Sequence, residues 1–219
     1  PTRRSSDLDG STDGTGELLQ AIGGIHRIVH PVNRGYGQSL IDAFAWAWRR
    51  GFDWVITMDC DEQHEPCRVP FFVRECLADD ADIISGSRYL QTDDDQDQPP
   101  PDRRNINGII THKLKEVLGL ELTDSFCGFK AHRVALLNKL NLTIPGYAFP
   151  MQFWVQAVRA GARIRELPVR LIYKDATRHF GGNLDDPTAR LEHYMEVLHA
   201  ALAEPVSQQC ENHAACCRH

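Results

Sequence analysis

Residues 54–66, WVITMDCDEQHEP, constrain the fold of this chain more than any other stretch. A short apolar run, Val55-Ile56-Thr57-Met58, ends in two carboxylates, Asp59 and Asp61, with one cysteine between them. Gln63, His64 and then Pro66 follow. An apolar run of this length, bounded by polar and proline signals, reads as a buried strand that stops at the open edge of a sheet. In open α/β sheets that carboxyl edge is where ligands bind. Two carboxylates placed there repel one another unless a cation or a shared proton intervenes. A hard divalent ion, Mg²⁺ or Mn²⁺, suits their oxygens and is commonly shared with substrate phosphates. The competing reading is a strand-to-helix turn in which both aspartates act as caps, since aspartate is common in turns. The buried strand before the pair and the amide oxygen of Gln63 after it favour the ion.

The chain has 219 residues, 42% hydrophobic and 25% charged, enough for one domain with a full core. A formal net charge of −6 without a basic stripe argues against nucleic acid as a partner. No run of about 18 apolar residues suggests a membrane-spanning helix, and no charged-then-apolar leader suggests secretion. Seven cysteines at irregular spacing do not form a disulfide framework. Cys60, Cys67, Cys76 and Cys127 sit in or beside apolar segments, as reduced buried thiols of a cytoplasmic protein do. The Cys/His-rich end, residues 205–219, lacks paired C-x-x-C knuckles and reads as a disordered tail.

Residues 1–8, PTRRSSDL, have no periodicity and read as a frayed or non-native end. The turn-rich Asp9-Gly-Ser-Thr-Asp-Gly-Thr15 leads into a helix, and a strand follows over residues 25–30. Asn33-Arg34-Gly35-Tyr36-Gly37 opens a second helix, with Leu40, Ile41, Phe44, Ala45 and Trp48 at helical spacing. Trp46, Trp48 and Trp54 are expected in the core. Beyond the aspartate pair the pattern predicts a helix over 69–77 and a strand over 82–85 leading into Gly86-Ser87-Arg88-Tyr89. The acidic, proline-rich residues 91–102 form a loop with no core positions. Helices at 105–118 and 151–160, an alternating strand at 164–172 and a last helix at 187–202 complete the pattern. Strands and helices alternate as in a doubly wound sheet.

The ordered set DGSTDGT, NRGYGQSL, DCDEQHEP, ADIISGSRY, TDSFCGFKAHR and IRELPVRLIY resembles glycosyltransferase family 2. Within it the nearest pattern is the dolichol-phosphate (polyprenyl-phosphate) mannosyltransferase-like branch. The resemblance covers roughly residues 9 to 182. It implies an α/β fold of GT-A type: a Rossmann-like, mixed but mostly parallel sheet with flanking helices, here without the family's amino-terminal strand and its Asn-Glu pair. The catalytic domain then spans residues 9–204.

The resemblance places the family's metal set on Asp59, Asp61 and Gln63, for Mg²⁺ or Mn²⁺ bridging a diphosphate. It places the nucleoside-diphosphate sugar against Asp9, Asn33, Gly35, Gly37, Asp59 and Arg178. Arg88 and Asp124 fall at catalytic positions: the arginine on a phosphate, where a bidentate guanidinium suits the oxygens, and the aspartate facing the acceptor. Asp124 would act as base toward a hydroxyl acceptor, or would position an acceptor phosphate that is already ionised. Arg103 and Arg104 serve the phosphate of a lipid or saccharide acceptor. His64 reads as a turn or supporting histidine, and Gly128 and Phe129 as wall. Leu8 stands where the family has a second carboxylate, and Phe180-Gly181-Gly182-Asn183 stands where the branch ends in Gly-Ser-Lys. The expected reaction is a single inverting displacement, at the cytoplasmic face of a membrane with peripheral association. Two alternatives are a fragment that binds nucleotide without turnover and a sugar-nucleotide pyrophosphorylase.

Overall fold

The computed structural model describes residues 4–91, 97–173 and 180–205. β1 (Arg4–Asp9) is followed by α1 (Thr15–Ala21) and β2 (Ile25–His30), and the two strands pair in parallel. The frayed reading of residues 1–8 is therefore corrected from Arg4 onward. RSSDLD has no hydrophobic alternation because only Leu8 of this strand is buried, and backbone pairing rather than a core stripe holds it. Their register sets Asp9 opposite His30.

α2 (Tyr36–Arg49) buries Gly37, Phe44 and Ala47 and delivers the chain to β3 (Trp54–Thr57). After a single 3₁₀ turn, α3 (Val69–Ala78) leads to β4 (Ile83–Ser87), all five of whose residues are buried. α4 (Pro101–Leu118) starts four residues earlier than its apolar periodicity suggests, because Pro101 at the first turn is preset for helix and has no N–H to lose. β5 (Lys130–Arg133), α5 (Val134–Leu137), α6 (Phe149–Arg159), β6 (Ile164–Pro168) and α7 (Pro187–Ala203) complete the order. β6 ends at Pro168 rather than at residue 172.

The second sheet has the order β3-β5-β4-β6. β4 and β6 pair in parallel, whereas β5 is antiparallel to both β3 and β4, so three of its four strands point one way. Inserting β5 backwards places its first residue, Lys130, opposite both Thr57 and Ser85. The loop that feeds β5, residues 124–129, consequently lies at the carboxyl ends of β3 and β4. The β1–β2 pair forms a separate two-stranded sheet.

Alternation along β4 assigns the two faces. Ile83 packs into a cluster with Ile106, Ile110, Leu114, Phe149, Phe153, Trp154 and Leu198, from α4, α6 and α7. Its neighbour Ile84 points the other way, into a smaller cluster with Phe72 and Cys76 of α3 and with Phe129. Phe72 stacks on Phe129 with centroids 4.2 Å apart. Each such fully buried side chain contributes about 1.5–3 kcal/mol. The chain is thus a layered α/β/α fold. Cys76 and Cys127 are buried thiols as expected, but Cys60 and Cys67 are exposed, because both lie on the turns that carry the chain over the sheet edge. Trp48 is also half-exposed rather than core. It sits on the carboxyl-terminal turn of α2, directly after the buried Ala47.

Candidate active site

β3 ends at Thr57, and the chain crosses the sheet edge with Asp59 and Asp61 on the connection. Thr57 Oγ1 donates to the Gly128 carbonyl at 2.8 Å, tying this connection to the loop before β5. The Asp59 carboxylate packs directly on Gly128, where any Cβ would collide with its oxygens. Glycine at 128 leaves the room in which the carboxylate lies across the loop. Asp61 Oδ1 accepts the Gln63 N–H at 3.0 Å, and Glu62 between them has φ +63°. The turn-cap reading of Asp61 is therefore realised by one of its oxygens. A left-handed non-glycine residue at such a turn is a strained conformation of the kind concentrated at ligand sites. His64 is buried with Nε2 3.6 Å from Asp59 Oδ2, and its Nδ1 has no hydrogen-bond partner among the described residues.

Arg88, just past β4, is clamped by Asp124: Nε to Oδ2 at 2.6 Å and Nη2 to Oδ1 at 2.9 Å. The Arg88 N–H also reaches Oδ2 at 3.2 Å, and the N–H groups of Phe126 and Cys127 both reach Oδ1 at 3.1 Å. Asp124 is fully buried, and its five donors match or exceed the roughly four lone-pair positions of a carboxylate. Burial pushes its pKa up, but the charge and hydrogen bonds of Arg88 outweigh burial and hold it below the usual carboxylate range. No lone pair is left over for a substrate proton. Glu166 is similarly occupied, accepting the Thr123 N–H at 2.9 Å and the Asp124 N–H at 3.0 Å.

Lys130 is buried, with its ammonium on the Cys127 carbonyl and 5.4 Å from the Trp154 ring centroid. Burial pushes its pKa down, while the charges of Asp124 and Asp59 oppose that shift. Tyr36 is tied to the same place: burial raises its phenol, and Asp59 and Arg88 are among the charges it feels. Lys130 and Tyr36 were not singled out from the sequence. The Lys in GFKAHR is identifiable only once β5 is known to run backwards, and Tyr36 reads as an ordinary first-turn residue.

Asp9 does not point into open space. It accepts the N–H groups of Arg34 and Gly35, both at 2.7 Å, and pairs with His30 Nδ1 at 2.9 Å. His30 reaches Asp42 with its other nitrogen, also at 2.9 Å. Asp9 therefore anchors the loop that opens α2. Asn33 is exposed on that loop. The space at Gly35 and Gly37 is filled by protein backbone: a Cβ at 35 would lie 2.5 Å from the Pro145 carbonyl oxygen, and one at 37 would collide with the Ile144 carbonyl. The Gln38 N–H donates to Pro145 at 3.1 Å. The two glycines admit the 144–146 loop to the start of α2.

Arg104 lies over the Tyr89 ring at 3.9 Å, with Arg88 at 5.6 Å from the same centroid. Arg103 lies over Phe180 at 4.7 Å and Tyr173 at 5.3 Å. Phe180 packs edge-on against Tyr147, which stacks on Tyr36. The structure thus brings Arg88, Arg103, Arg104 and Asp124 to the edge that also carries Asp59 and Asp61. Arg178 lies outside the described residues. No cluster of three or more His, Cys, Asp or Glu suited to a metal is present among the described residues. Asp59, Asp61 and Gln63 all lie on the connection that follows β3. The side chain of Asp59 is 38% exposed.

A layered α/β/α sheet with carboxylates and arginines gathered at its carboxyl edge is the architecture of GT-A glycosyltransferases. Glucosyl-3-phosphoglycerate synthase from Mycobacterium tuberculosis, solved with uridine diphosphate, superposes with a TM-score of 0.65 at 19% identity, covering 92% of this chain and 68% of that one. Residues 8–140 match the model of glycosyl transferase family 2, and the chain belongs to that family. It is 29% identical over 174 residues to undecaprenyl-phosphate mannosyltransferase of Micrococcus luteus, covering 76% of this chain and 70% of the relative. It is 27% identical over 169 residues to polyprenol monophosphomannose synthase of Mycolicibacterium smegmatis, covering 74% and 63%. The chain thus spans under two thirds of the second relative's length.

Proposed function

We propose that the chain transfers a hexose from a nucleoside-diphosphate sugar to a polyprenyl phosphate, with inversion at the anomeric carbon. The observation that carries this reading is Arg88 held in a two-pronged clamp by an Asp124 whose lone pairs are all taken. Such a carboxylate is poorly placed to deprotonate a hydroxyl, but it fixes a guanidinium that can meet phosphate oxygens. An acceptor phosphate is largely ionised near neutral pH and needs no base. The names of two sequence relatives, an undecaprenyl-phosphate mannosyltransferase and a polyprenol monophosphomannose synthase, support the same acceptor class.

In this mechanism Asp59, Asp61 and the Gln63 amide would hold Mg²⁺ or Mn²⁺, which neutralises the diphosphate as it departs. A solved neighbour, the Mycobacterium tuberculosis synthase, was crystallised with Mn²⁺ and uridine-diphosphate-glucose. Gly128 sets the position of Asp59, and Glu62 sets the turn that presents Asp61. The acceptor oxygen attacks the anomeric carbon while the bond to the diphosphate breaks. Arg88 and Arg104, both held over the Tyr89 ring, line up the acceptor phosphate. The work is positioning and charge stabilisation. No helix among the described residues is long and apolar enough to cross a bilayer.

A second reading, nucleotide binding without turnover, has one observation in its favour. The β1–β2 pair that carries Asp9 is not hydrogen-bonded to the sheet that carries Asp59, so no common ladder fixes the two relative to each other. Calorimetric titration with GDP-mannose, UDP-glucose and GDP, with and without Mn²⁺, tests the donor site. Metal-dependent binding that disappears in Asp61→Ala supports transfer. Binding that is indifferent to both metal and Asp61 contradicts it.

A further inference from the structure

Lys130 opens β5 at the carboxyl edge of the second sheet, opposite Thr57 of β3 on one side and Ser85 of β4 on the other. β3 runs on to Asp59 and β4 to Arg88, so the lysine stands between the two strands that feed the site. Its side chain is buried, and its ammonium rests on the Cys127 carbonyl and faces the Trp154 ring. No carboxylate among the described residues lies within ion-pair distance of it. Taking a charge out of water without a paired counter-ion is costly, and an apolar side chain of similar length is often no less stable in such a place. The fold alone therefore does not call for a lysine here. What the ammonium holds does.

Cys127 is held on both sides of its backbone. Its N–H goes to Asp124 Oδ1 at 3.1 Å, the same oxygen that receives Arg88 Nη2 at 2.9 Å. Its carbonyl takes the Lys130 ammonium. The next residue, Gly128, lies against the Asp59 carboxylate, and its own carbonyl accepts Thr57 Oγ1 at 2.8 Å. One short run of backbone, residues 127–128, thus touches the clamp on Arg88 at one end and the first aspartate of the β3 connection at the other. Upstream, Trp154 Nε1 donates to the Ser125 carbonyl at 3.0 Å, and the Ser125 N–H donates to Asn107 Oδ1 at 3.0 Å. Those two ties stop at residue 125, and Lys130 supplies the side-chain donor beyond them.

We propose that Lys130 is a positioning residue for sugar transfer. By fixing the Cys127 carbonyl it holds Gly128 under Asp59 while Asp124 holds Arg88, so the donor-side carboxylate and the acceptor-side arginine keep one relative geometry. The inference rests on the transfer reading above and adds to it the element that couples its two halves.

The loop carries its own reporter. Cys127 and Cys76 lie in the same apolar cluster, and burial pushes both thiols up to about 11. Cys60 and Cys67 are exposed. Alkylation by iodoacetamide, read cysteine by cysteine with peptide mass spectrometry, therefore separates loosening of this loop from loosening of the fold. In Lys130→Met, Cys127 should react roughly tenfold faster or more, the change in open population expected when a hydrogen bond from a charged group is lost. Cys76 should stay within about twofold of wild type, since local opening leaves the rest of the cluster closed. Removing the neighbouring positive charge would by itself slow Cys127, so a faster reaction reads access.

In the same variant, Mn²⁺-dependent binding of GDP-mannose or UDP-glucose, whichever wild type takes, should weaken roughly tenfold or more, as when a group that orients a metal ligand is removed. Gly128→Ala should cost less donor affinity in the Lys130→Met background than in wild type, because both changes act on the placement of Asp59. Cys127 and Cys76 opening together, or Cys127 staying closed, overturns the proposal. Selective opening of Cys127 with donor affinity unchanged also overturns it. A wild type that binds donor in Mn²⁺ while Lys130→Met binds it equally well counts against Lys130 alone. A wild type that binds neither nucleotide-sugar in Mn²⁺ contradicts the transfer reading itself, and the positioning role falls with it.

Discussion

Asp124→Asn is the most informative single change. The substitution keeps shape and volume but removes the charge opposite Arg88 and turns one oxygen into an N–H donor. In wild type Oδ1 receives Arg88 Nη2, Phe126 N–H and Cys127 N–H, while Oδ2 receives Arg88 Nε and N–H. Depending on how the amide is turned, two or three donors face an NH₂ group, in a place where Asp124 is wholly shielded from water. Leaving one partner of a buried ion pair uncompensated costs about 3–5 kcal/mol. For a chain of this size each kcal/mol lowers Tm by about 2–4 °C, so the variant should melt roughly 6–20 °C lower. Differential scanning fluorimetry and urea titration read this directly. Donor binding should weaken less than transfer to the acceptor, because Asp59 and Asp61 are untouched. The sign with pH follows from the depressed pKa of Asp124. Its contribution is present above the unfolded carboxylate value near about pH 4 and is lost as pH falls through the lower folded value. Asp124→Asn should therefore show a shallower acid slope than wild type. A variant that melts within about 2 °C of wild type would refute the clamp as an energetic feature.

Three further outcomes are expected. Gly128→Ala drives a methyl into the Asp59 carboxylate and should reduce metal-dependent donor turnover on the order of a hundredfold, the cost of misplacing a reacting group by about 1 Å; unaltered steady-state kinetics would disprove it. Asp82 accepts Arg163 N–H, Nε and Nη2 at 3.0 Å and Arg133 Nε at 2.9 Å, far from the site. Asp82→Ala should cost about 1–3 kcal/mol of stability in urea without changing turnover. The arginines hold Asp82 well below the usual carboxylate range, so its contribution is present above about pH 4 and fades only in stronger acid. His30, between Asp9 and Asp42, has its pKa raised: burial opposes protonation, but the carboxylates win. Its charged form stabilises fully below about pH 6.5 and is lost as pH rises through the higher folded value. His30→Gln should flatten the loss of urea midpoint that wild type shows on the alkaline side of neutrality, and an unchanged slope would count against the pairing.

Much of the fold was readable because its signals are local. The apolar run into Asp59 is a strand, Leu40, Ile41 and Phe44 mark a helical face, and Gly86-Ser87-Arg88 ends a buried strand. β1 was not readable, since RSSDLD has one core residue and is defined by pairing with a strand some twenty residues on. The reversed direction of β5 is likewise a tertiary fact, and it alone brings Lys130 and the 124–128 loop to the carboxylates. The glycines at 35 and 37 show a different limit. Sequence reveals that a close approach is needed there, but not that the approaching group is the Pro145 backbone. Asp124 was picked out as an acid in the right motif, while its five donors come from positions scattered between 88 and 127. Residue type was legible; whether its lone pairs are free was not.

The central claim is most directly tested by supplying radiolabelled GDP-mannose and UDP-glucose to the purified chain with undecaprenyl phosphate, free phosphoglycerate or no acceptor, in Mn²⁺ or in EDTA. The account predicts label in an organic-extractable lipid only with undecaprenyl phosphate and Mn²⁺, lost in Asp59→Ala and Asp61→Ala. Label passing to phosphoglycerate, or lipid product formed equally well in EDTA, would contradict it.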